Sequence, residues 1–198
     1  GPSSLTIFAG LDCEPEEVGI TETTNFLGTT TDMDKVFSSF RKVAVEDDYI
    51  LLSCYDVSDP DFSPPGTCQA VIVNLKYGDP WLEIPPHQYY EKKYEVADKL
   101  LDLVEQHFPG FREHIEEIEV ATPLTHMRYL ATPGGAIYGF DQFAKDSNIF
   151  ISPRSPIKGL YFVGAWAGAG GFQPTLSSGV AAARQVIKAM QSETEVKS

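Results

Sequence analysis

The sequence of 198 residues predicts an α/β fold in which helices cover a mixed β-sheet. Three observations support this class. Short apolar runs bounded by turn residues are typical of strands, one long segment has the period of an amphipathic helix, and a glycine-rich strand–loop–helix unit lies near the C-terminal end. Hydrophobic residues make up 42% of the chain and charged residues 22%, a composition that favours a folded globular protein over a disordered one.

The first strands are predicted from apolar runs at residues 6–11, 49–55 and 68–77. A short helix is predicted at residues 33–40, between the first two runs. The proline-rich segment 56–66 that follows the second run has the composition of a loop.

The main covering helix is predicted at residues 88–108. Apolar side chains recur there at steps of three and four residues and are expected to form one face: Tyr90, Tyr94, Ala97, Leu101, Val104 and Phe108. A core face is the more common role of such a stripe, and a ligand-lining face is the alternative. A shorter acidic helix is predicted around residues 112–118, and residues 122–140 are predicted to form a strand followed by a glycine-rich aromatic loop.

The remaining elements form the strand–loop–helix unit. Residues 145–157 are polar and proline-containing, which predicts a crossing between subdomains. Residues 159–164 are predicted to form a buried strand, residues 165–174 a loop of small residues, and residues 175–190 a helix. The uncharged stretch 159–183 is long enough to cross a bilayer, but its glycines, proline and polar side chains argue against a membrane helix.

Residues 1–4, Gly-Pro-Ser-Ser, look like a protease scar with a cloning linker. We therefore expect these residues to contribute nothing to the fold, and we expect the native N-terminus to be missing. The chain would then be a piece of a longer protein.

The charge balance limits the classes of partner. Asp and Glu number 28 against 15 Lys and Arg, a net charge of −13, which argues against nucleic acid and against electrostatic docking on anionic lipid. The three cysteines, Cys13, Cys54 and Cys68, lack a CxxC pair, which favours a reducing compartment over a disulfide scaffold. We expect an intracellular protein that is cytoplasmic or in peripheral, hydrophobic contact with a membrane.

The strongest candidate for a ligand site is the unit at residues 159–190. Its glycines allow the backbone to approach a ligand closely, and the following helix N-terminus presents free N–H groups to electron-rich oxygens. A tight turn capped by Thr175 or Ser177 explains the glycines equally well. Residues 168–173 (GAGGFQ) lack the third glycine of a GxGxxG fingerprint, so a bound dinucleotide would have its main cradle elsewhere.

Three segments together carry a family signature. Residues 154–165 (RSPIKGLYFVGA) are followed by a Gly-Gly pair and by SGVAA at residues 178–182. Residues 122–139 contain TPLT, RY and PGGAIYG, and residues 59–66 contain DP and PPG. From residue 59 to residue 182 the segments follow one another in the order found in the phytoene desaturase family, which they resemble. That family includes carotenoid desaturases, carotenoid isomerases and retinol saturases.

The resemblance implies that this chain is the C-terminal portion of an FAD-dependent oxidoreductase and is inactive alone. Residues 5–144 would belong to a substrate-binding domain, and residues 145–198 would complete the FAD-binding domain. The partner of this second segment would be the N-terminal Rossmann segment of the same parent chain. The implied substrate is a hydrophobic polyene or isoprenoid, which is desaturated, saturated or isomerised through hydride transfer with the flavin.

The resemblance also implies cofactor-binding residues, whose contacts would come mainly from the backbone: Gly164, Ala165, Gly170, Gly171, Phe172 and Gln173. The first two would lie by the pyrophosphate and ribityl chain, and residues 171–173 would offer amides to the flavin ring. Many relatives carry an acidic residue at the position of Ala165. At Ala165 the chain would therefore contact the cofactor through its backbone alone, or it would bind the cofactor more weakly.

Tyr129, Tyr138 and Phe140 are candidates for the wall of a substrate tunnel, with core packing as the alternative. No catalytic residue is evident, and the four histidines show no metal-ligand spacing. A second hypothesis is a free-standing domain that binds a hydrophobic ligand without redox activity, which the missing fingerprint and Ala165 favour. A third hypothesis, an amine-oxidising flavoenzyme, ranks lower, because residues 122–140 resemble flavoenzymes that act on polyenes more closely.

Overall fold

The computed structural model describes residues 1–46, 48–141, 143, 155–168 and 170–195, with the backbone alone at residues 193–195. The chain divides into two compact units. We call Ser3–Gly135 the sheet unit, and Ala136–Ser198 together with Gly1–Pro2 the C-terminal unit.

The sheet unit is built on a five-stranded sheet, which confirms the α/β class. Its strands are β1 (Ser3–Leu11), β2 (Thr24–Gly28), β3 (Tyr49–Ser53), β4 (Cys68–Lys76) and β5 (Ile115–Ala121). The spatial order is β2-β3-β4-β1-β5, and all four pairings are antiparallel. The sheet is therefore antiparallel rather than mixed, since none of its pairings has the parallel geometry that a crossover connection produces.

The three apolar runs form β1, β3 and β4, as predicted, and the short helix is α1 (Met33–Ser39). The expectation that residues 1–4 lie outside the fold is wrong for two of them. Ser3 and Ser4 are buried and pair with Lys76 and Leu75, so β1 begins at Ser3.

Two strands differ from prediction. β2 was not predicted, because a short and largely exposed edge strand shows little periodicity. The acidic helix predicted around residues 112–118 is wrong: a single 3-10 turn, Phe111–His114, leads into β5. Glu117 and Glu119 are exposed there while Val120 is buried, which is the alternation of a strand at the sheet edge.

The strand predicted after residue 122 is also wrong, since α4 (Pro123–Leu130) forms there. Pro123 occupies the first helical turn, where its missing N–H costs nothing. Thr122 and Thr125 form a reciprocal capping box around it. These start signals outweigh the apolar and β-branched composition that suggested a strand.

One face of the sheet carries the core, covered by the short α2 (Asp79–Leu82) and by α3 (Tyr89–His107). The helix is confirmed, but its buried face is rotated from the predicted one. Tyr90 is 68% and Tyr94 48% exposed, while the buried positions are Lys93, Val96, Ala97, Leu100, Leu101, Leu103 and Val104. Branched aliphatic side chains therefore face the sheet, and the tyrosines stay at the surface, where their hydroxyls reach water.

The C-terminal unit contains α5 (Phe172–Glu195), which begins three residues earlier than predicted. The buried strand predicted at residues 159–164 is wrong: Tyr161 makes one isolated bridge, and Phe162 and Val163 are half-exposed. The predicted crossing at residues 145–157 falls largely outside the described residues. No helix in the described part of the chain has the length and apolarity needed to cross a membrane.

Candidate functional site

The C-terminal unit brings four of the predicted site residues to one cavity: Tyr138, Ala165, Gly171 and Phe172. The cavity has a volume of about 460 Å³, and its other lining residues are Ile137, Thr175 and Leu176. None of these seven side chains carries a charge. The site therefore offers mainly apolar contacts, together with the backbone groups of the loop and of the first turns of α5.

Close contact between two backbone segments shapes this site. A Cβ on Gly170 would lie 2.5 Å from the carbonyl oxygen of Tyr138, and one on Gly139 would lie 2.5 Å from that of Ala165. Both distances are far below van der Waals contact, so only glycine fits at either position. The Phe140 ring adds an edge-to-face contact with Trp166, with centroids 4.7 Å apart.

Gly164 holds the turn that precedes the site. Its φ of 96° and ψ of −175° are accessible essentially to glycine alone. Its N–H donates to Ser178 Oγ at 2.9 Å, and Ser178 donates in turn to the Thr175 carbonyl at 2.7 Å. The side chain that joins the turn to α5 is thus Ser178, whereas the sequence suggested a cap from Thr175 or Ser177.

The N-terminus of α5 lies at residues 171–173, which were expected to form a loop and to offer amides to the flavin ring. Phe172 and Gln173 occupy the first turn of α5 rather than a loop. The first bond that closes this turn runs from the Thr175 N–H to the Gly171 carbonyl at 3.2 Å. The N–H groups of Phe172 and Gln173 precede it, so they have no carbonyl within α5 to bond.

Two of the three predicted substrate residues belong to the C-terminal unit and one belongs to the sheet unit. Tyr138 lines the cavity, whereas Phe140 packs on Trp166. Tyr129 belongs to α4 of the sheet unit, where it is 76% exposed and the Arg128 guanidinium lies 5.6 Å from its ring centre. Their role in substrate binding stays a prediction.

The sheet unit has an apolar surface that the sequence analysis missed. On the face opposite α3, cross-strand neighbours place Phe8 against Val71, Phe26 against Leu51, and Leu51 against Val73. Phe8 and Phe26 are exposed, and the other three are partly exposed. The signal was present in the uninterrupted apolar run of β4, because a strand with apolar residues at successive positions has two apolar faces. We call these five residues the open sheet face.

A serine–histidine pair lies at one end of β1. Ser4 Oγ is 3.1 Å from His126 Nε2 of α4 and 3.0 Å from Thr6 Oγ1. Burial lowers the pKa of His126 below its ordinary value. In the described part of the chain no carboxylate is hydrogen-bonded to His126, so the pair lacks the third member of a hydrolase triad.

Comparison with known proteins relates this chain to flavin enzymes. The family described as flavin containing amine oxidoreductase matches residues 29–187. All-trans-retinol 13,14-reductase of Danio rerio is 27% identical over 182 residues, which cover 83% of this chain and 30% of that protein. The chloroplastic prolycopene isomerase of Arabidopsis thaliana is 33% identical over 118 residues, 58% of this chain and 20% of that protein. Pyridine nucleotide-disulfide oxidoreductase domain-containing protein 2 of Mus musculus is 32% identical over 126 residues, 57% of this chain and 20% of that protein.

The chain therefore spans 30% or less of the length of these curated relatives. Their names confirm the resemblance that the sequence motifs carry, and the flavin in the family's description confirms the predicted cofactor, FAD. Because the family match covers well over half of the chain, this protein belongs to the flavin-containing amine oxidoreductases.

Proposed function

We propose that this chain is the C-terminal portion of an FAD-dependent oxidoreductase whose substrate is an apolar polyene or isoprenoid. The observation that carries the proposal is the uncharged cavity of the C-terminal unit, because the residues of the FAD-like motif meet there. Retinol and prolycopene are named in two of the relatives, which supports a substrate of this class.

The residues around the cavity fit a flavin. Gly164 is partly exposed and has open space at the position of a Cβ, so its backbone is accessible to a large planar group. The N–H groups of Phe172 and Gln173, which have no carbonyl partner within α5, suit the acceptor atoms at the edge of the flavin ring. They would donate to the ring and stabilise the negative charge that reduction places on it.

Bound flavin supplies hydride transfer to or from a substrate carbon. The residues of this chain bind and orient the reactants and exclude water. Tyr138 and Phe172 would give the cavity an aromatic wall, and the open sheet face would give the sheet unit a second apolar surface for a long-chain substrate. Apolar walls of this kind favour a polyene over a charged amine, because a buried charge without a partner is costly.

The proposed partner of the C-terminal unit is the N-terminal Rossmann segment of the parent chain. The unit exposes many large apolar side chains, which a soluble domain normally covers: Phe162, Val163, Phe172, Leu176, Val180, Ile187 and Met190. Several of them recur at helical spacing along α5, which suits packing against a further layer of structure.

An absorbance spectrum tests the cofactor assignment. The full-length parent and the 198-residue chain are compared as purified and after addition of FAD followed by desalting. We expect a flavin band in the parent and none in the chain, because the chain lacks the Rossmann half of the proposed site. Sub-micromolar FAD binding by the chain in calorimetry would contradict the split site.

A second experiment tests the substrate class. The flavin band of the parent is followed under anaerobic conditions while a polyene, a saturated isoprenoid or a primary amine is added. Bleaching of the oxidised flavin by the polyene or the saturated isoprenoid supports the proposal, as does return of the band when the polyene oxidises pre-reduced flavin. Bleaching by the amine alone overturns it. If the parent takes up no FAD but retains a polyene, it is a binding protein for hydrophobic ligands without redox activity.

A further inference from the structure

A second cavity, of about 490 Å³, lies at one end of the sheet unit. None of its lining residues belongs to the proposed flavin site, and the proposed flavin chemistry makes no use of it. Glu116 and Glu117 give its wall two negative charges, and no Lys, Arg or His is among the residues that line it. The cavity therefore differs in charge from the uncharged cavity of the C-terminal unit.

Three cross-strand neighbours form a row along this cavity. Gly10 of β1 lies between Gln69 of β4 and Glu117 of β5, and all three residues line the cavity. A Cβ on Gly10 would meet nothing within 4 Å, so the missing side chain leaves a hollow in the sheet surface. Because one strand separates β4 from β5, the flanking Cα atoms are about 10 Å apart. A small ligand fits between the amide of Gln69 and the carboxylate of Glu117.

A β-bulge in β5 brings a second carboxylate to the same place. The register between β1 and β5 shifts at this point, because Gly10 pairs with Glu117 and Leu11 pairs with Ile115. Glu116 is thus the extra residue of the bulge, and a bulge changes the direction of the side chains it carries. Neither Glu116 nor Glu117 forms an ion pair with a described residue. Two carboxylates without a counter-charge favour a positively charged ligand.

Ser63 provides an independent indication of a ligand. It lines the cavity and is only 8% exposed, and its Oγ has no hydrogen-bond partner within the described chain. Buried polar atoms nearly always have a partner, and an exception points to a group that is bound there. A ligand that donates a hydrogen bond to Ser63 Oγ would supply this partner.

The loop that carries Ser63 is held in place at two points. Glu14 Oε1 accepts the Gly66 N–H at 2.8 Å, although the two residues are 52 positions apart in the sequence. Asp56 Oδ2 accepts the Gln69 N–H at 2.9 Å. These bonds fix the two ends of the loop against the sheet. The polar groups of the cavity are therefore positioned before a ligand arrives, which lowers the entropic cost of binding.

We propose that this cavity binds an organic ammonium group, carried by a small free amine or by a lysine side chain of another protein. The three N–H donors of an ammonium group match the two carboxylates and the hydroxyl oxygen of Ser63. The net charge of −13 attracts cations to the chain. Among the described residues no group of three or more His, Cys, Asp and Glu is arranged to hold a metal ion, so an organic cation suits the cavity better.

An NMR titration of the isotope-labelled 198-residue chain tests the proposal. The probes are putrescine, a butanediol of the same chain length as a neutral control, and lysine blocked at both ends as a model of a protein side chain. We expect putrescine to bind saturably and to shift the amide resonances of Gly10 and Gln69, and we expect the diol to do neither. Binding should weaken as salt is added, because salt screens charge attraction.

The two amine probes distinguish the sources of the ammonium group. If the blocked lysine binds at least as tightly as putrescine, the ligand is a protein side chain. If putrescine binds and the blocked lysine does not, the ligand is a small free amine.

Matched variants assign the roles of the cavity residues. Glu117→Gln keeps the size of the side chain and removes its charge, and we expect the affinity for putrescine to fall about tenfold. The control is Glu119→Gln, because Glu119 is exposed on the same strand and does not line the cavity. Ser63→Ala should weaken binding without lowering the stability of the free chain, because its hydroxyl has no partner to lose there.

Four results would overturn the proposal: no saturable binding of either amine, equal binding of the diol, shifts confined to residues away from Gly10 and Gln69, or equal losses in Glu117→Gln and Glu119→Gln. Circular dichroism checks that each variant is folded. The titration of the natural chain decides the question even if a variant does not fold.

Discussion

The backbone N–H of Gly164 donates a hydrogen bond of 2.9 Å to the side-chain oxygen of Ser178. This bond joins the glycine turn that ends the FAD-like motif to the second turn of α5. The two residues are 14 positions apart in the sequence, and the bond holds the loop between them, which forms part of the cavity wall.

Ser178→Ala removes the acceptor and leaves the half-buried N–H of Gly164 without its partner. We expect the free energy of unfolding of the C-terminal unit to fall by about 1 kcal/mol and the parent to bind FAD more weakly. Urea unfolding of the chain and FAD titration of the apo parent measure the two effects. The neighbouring Ser177→Ala is the control, because Ser177 is exposed. Equal behaviour of the two variants would show that the bond contributes nothing.

Gly170→Ala places a methyl group 2.5 Å from the Tyr138 carbonyl oxygen and forces the two backbone segments apart. We expect a loss of stability of about 1–3 kcal/mol and a parent purified with markedly less flavin. The control is Gly168→Ala, whose methyl group would meet nothing within 4 Å. The flavin-to-protein absorbance ratio of the parent variants is the readout. Full flavin content in Gly170→Ala would contradict the packing argument.

Lys76 forms a buried ion pair that anchors the segment between α1 and β3. Its Nζ lies 2.7 Å from Asp48 Oδ2 and also donates to the backbone carbonyls of Ser39 and Ala44. Asp48→Ala leaves the buried ammonium without its counter-charge, and we expect a loss of about 3–5 kcal/mol. Urea unfolding measures it. The exposed Glu95→Ala is the control, since its pairs with Lys92 and Lys99 lie at the surface and surface pairs contribute about 0–1 kcal/mol.

Stability should also depend on pH through Lys76. Burial lowers the pKa of Lys76 below the ordinary 10.5, with partial compensation by Asp48. Between the lowered value and 10.5 the unfolded chain binds more protons than the folded one, so folding stability rises with pH in that interval. Lys76→Met should lack this contribution. The measurement is the difference in unfolding free energy between the natural chain and Lys76→Met across the alkaline pH range. A difference that does not change with pH would contradict the prediction.

His126 makes a similar contribution at lower pH. Burial lowers its pKa in the folded state below the ordinary 6.5, so the folded chain favours the neutral ring. The stabilisation is fully present above 6.5 and is lost as the pH falls through the lowered value. His126→Gln should remove this part of the acid sensitivity, while His87→Gln, at an exposed position, should not. Unfolding free energies measured from pH 5 to 8 test both variants, and identical curves would contradict the prediction.

Local sequence pattern was sufficient for much of the fold. β4 was predicted because its nine residues are rich in β-branched and apolar side chains, and α3 because apolar residues recur along it at helical spacing. Such patterns reflect burial within one element and need no knowledge of its neighbours. The glycines at 164, 170 and 171 similarly marked the candidate site, because a glycine-rich turn before a helix is a local feature.

Local pattern failed where a neighbour decides the conformation. An acidic helix was predicted around residues 112–118, but pairing with β1 makes residues 115–121 a strand whose glutamates are exposed. Tyr90 and Tyr94 have the right spacing for a core stripe, yet Val96 and Leu100 lie against the sheet instead. In each case the competing conformations have similar local energies, so the long-range contact selects between them.

The sequence by itself determined the fold class, the positions of β1, β3, β4 and α3, and the motif that relates this chain to flavin enzymes. The tertiary structure decided the antiparallel order of the sheet, the close approach of Gly170 to Tyr138, and the face of α3 that is buried. The physical reason is the range of the interactions. Hydrophobic periodicity and glycine turns act over a few residues, whereas strand register and backbone packing depend on which distant segments the folded chain brings together.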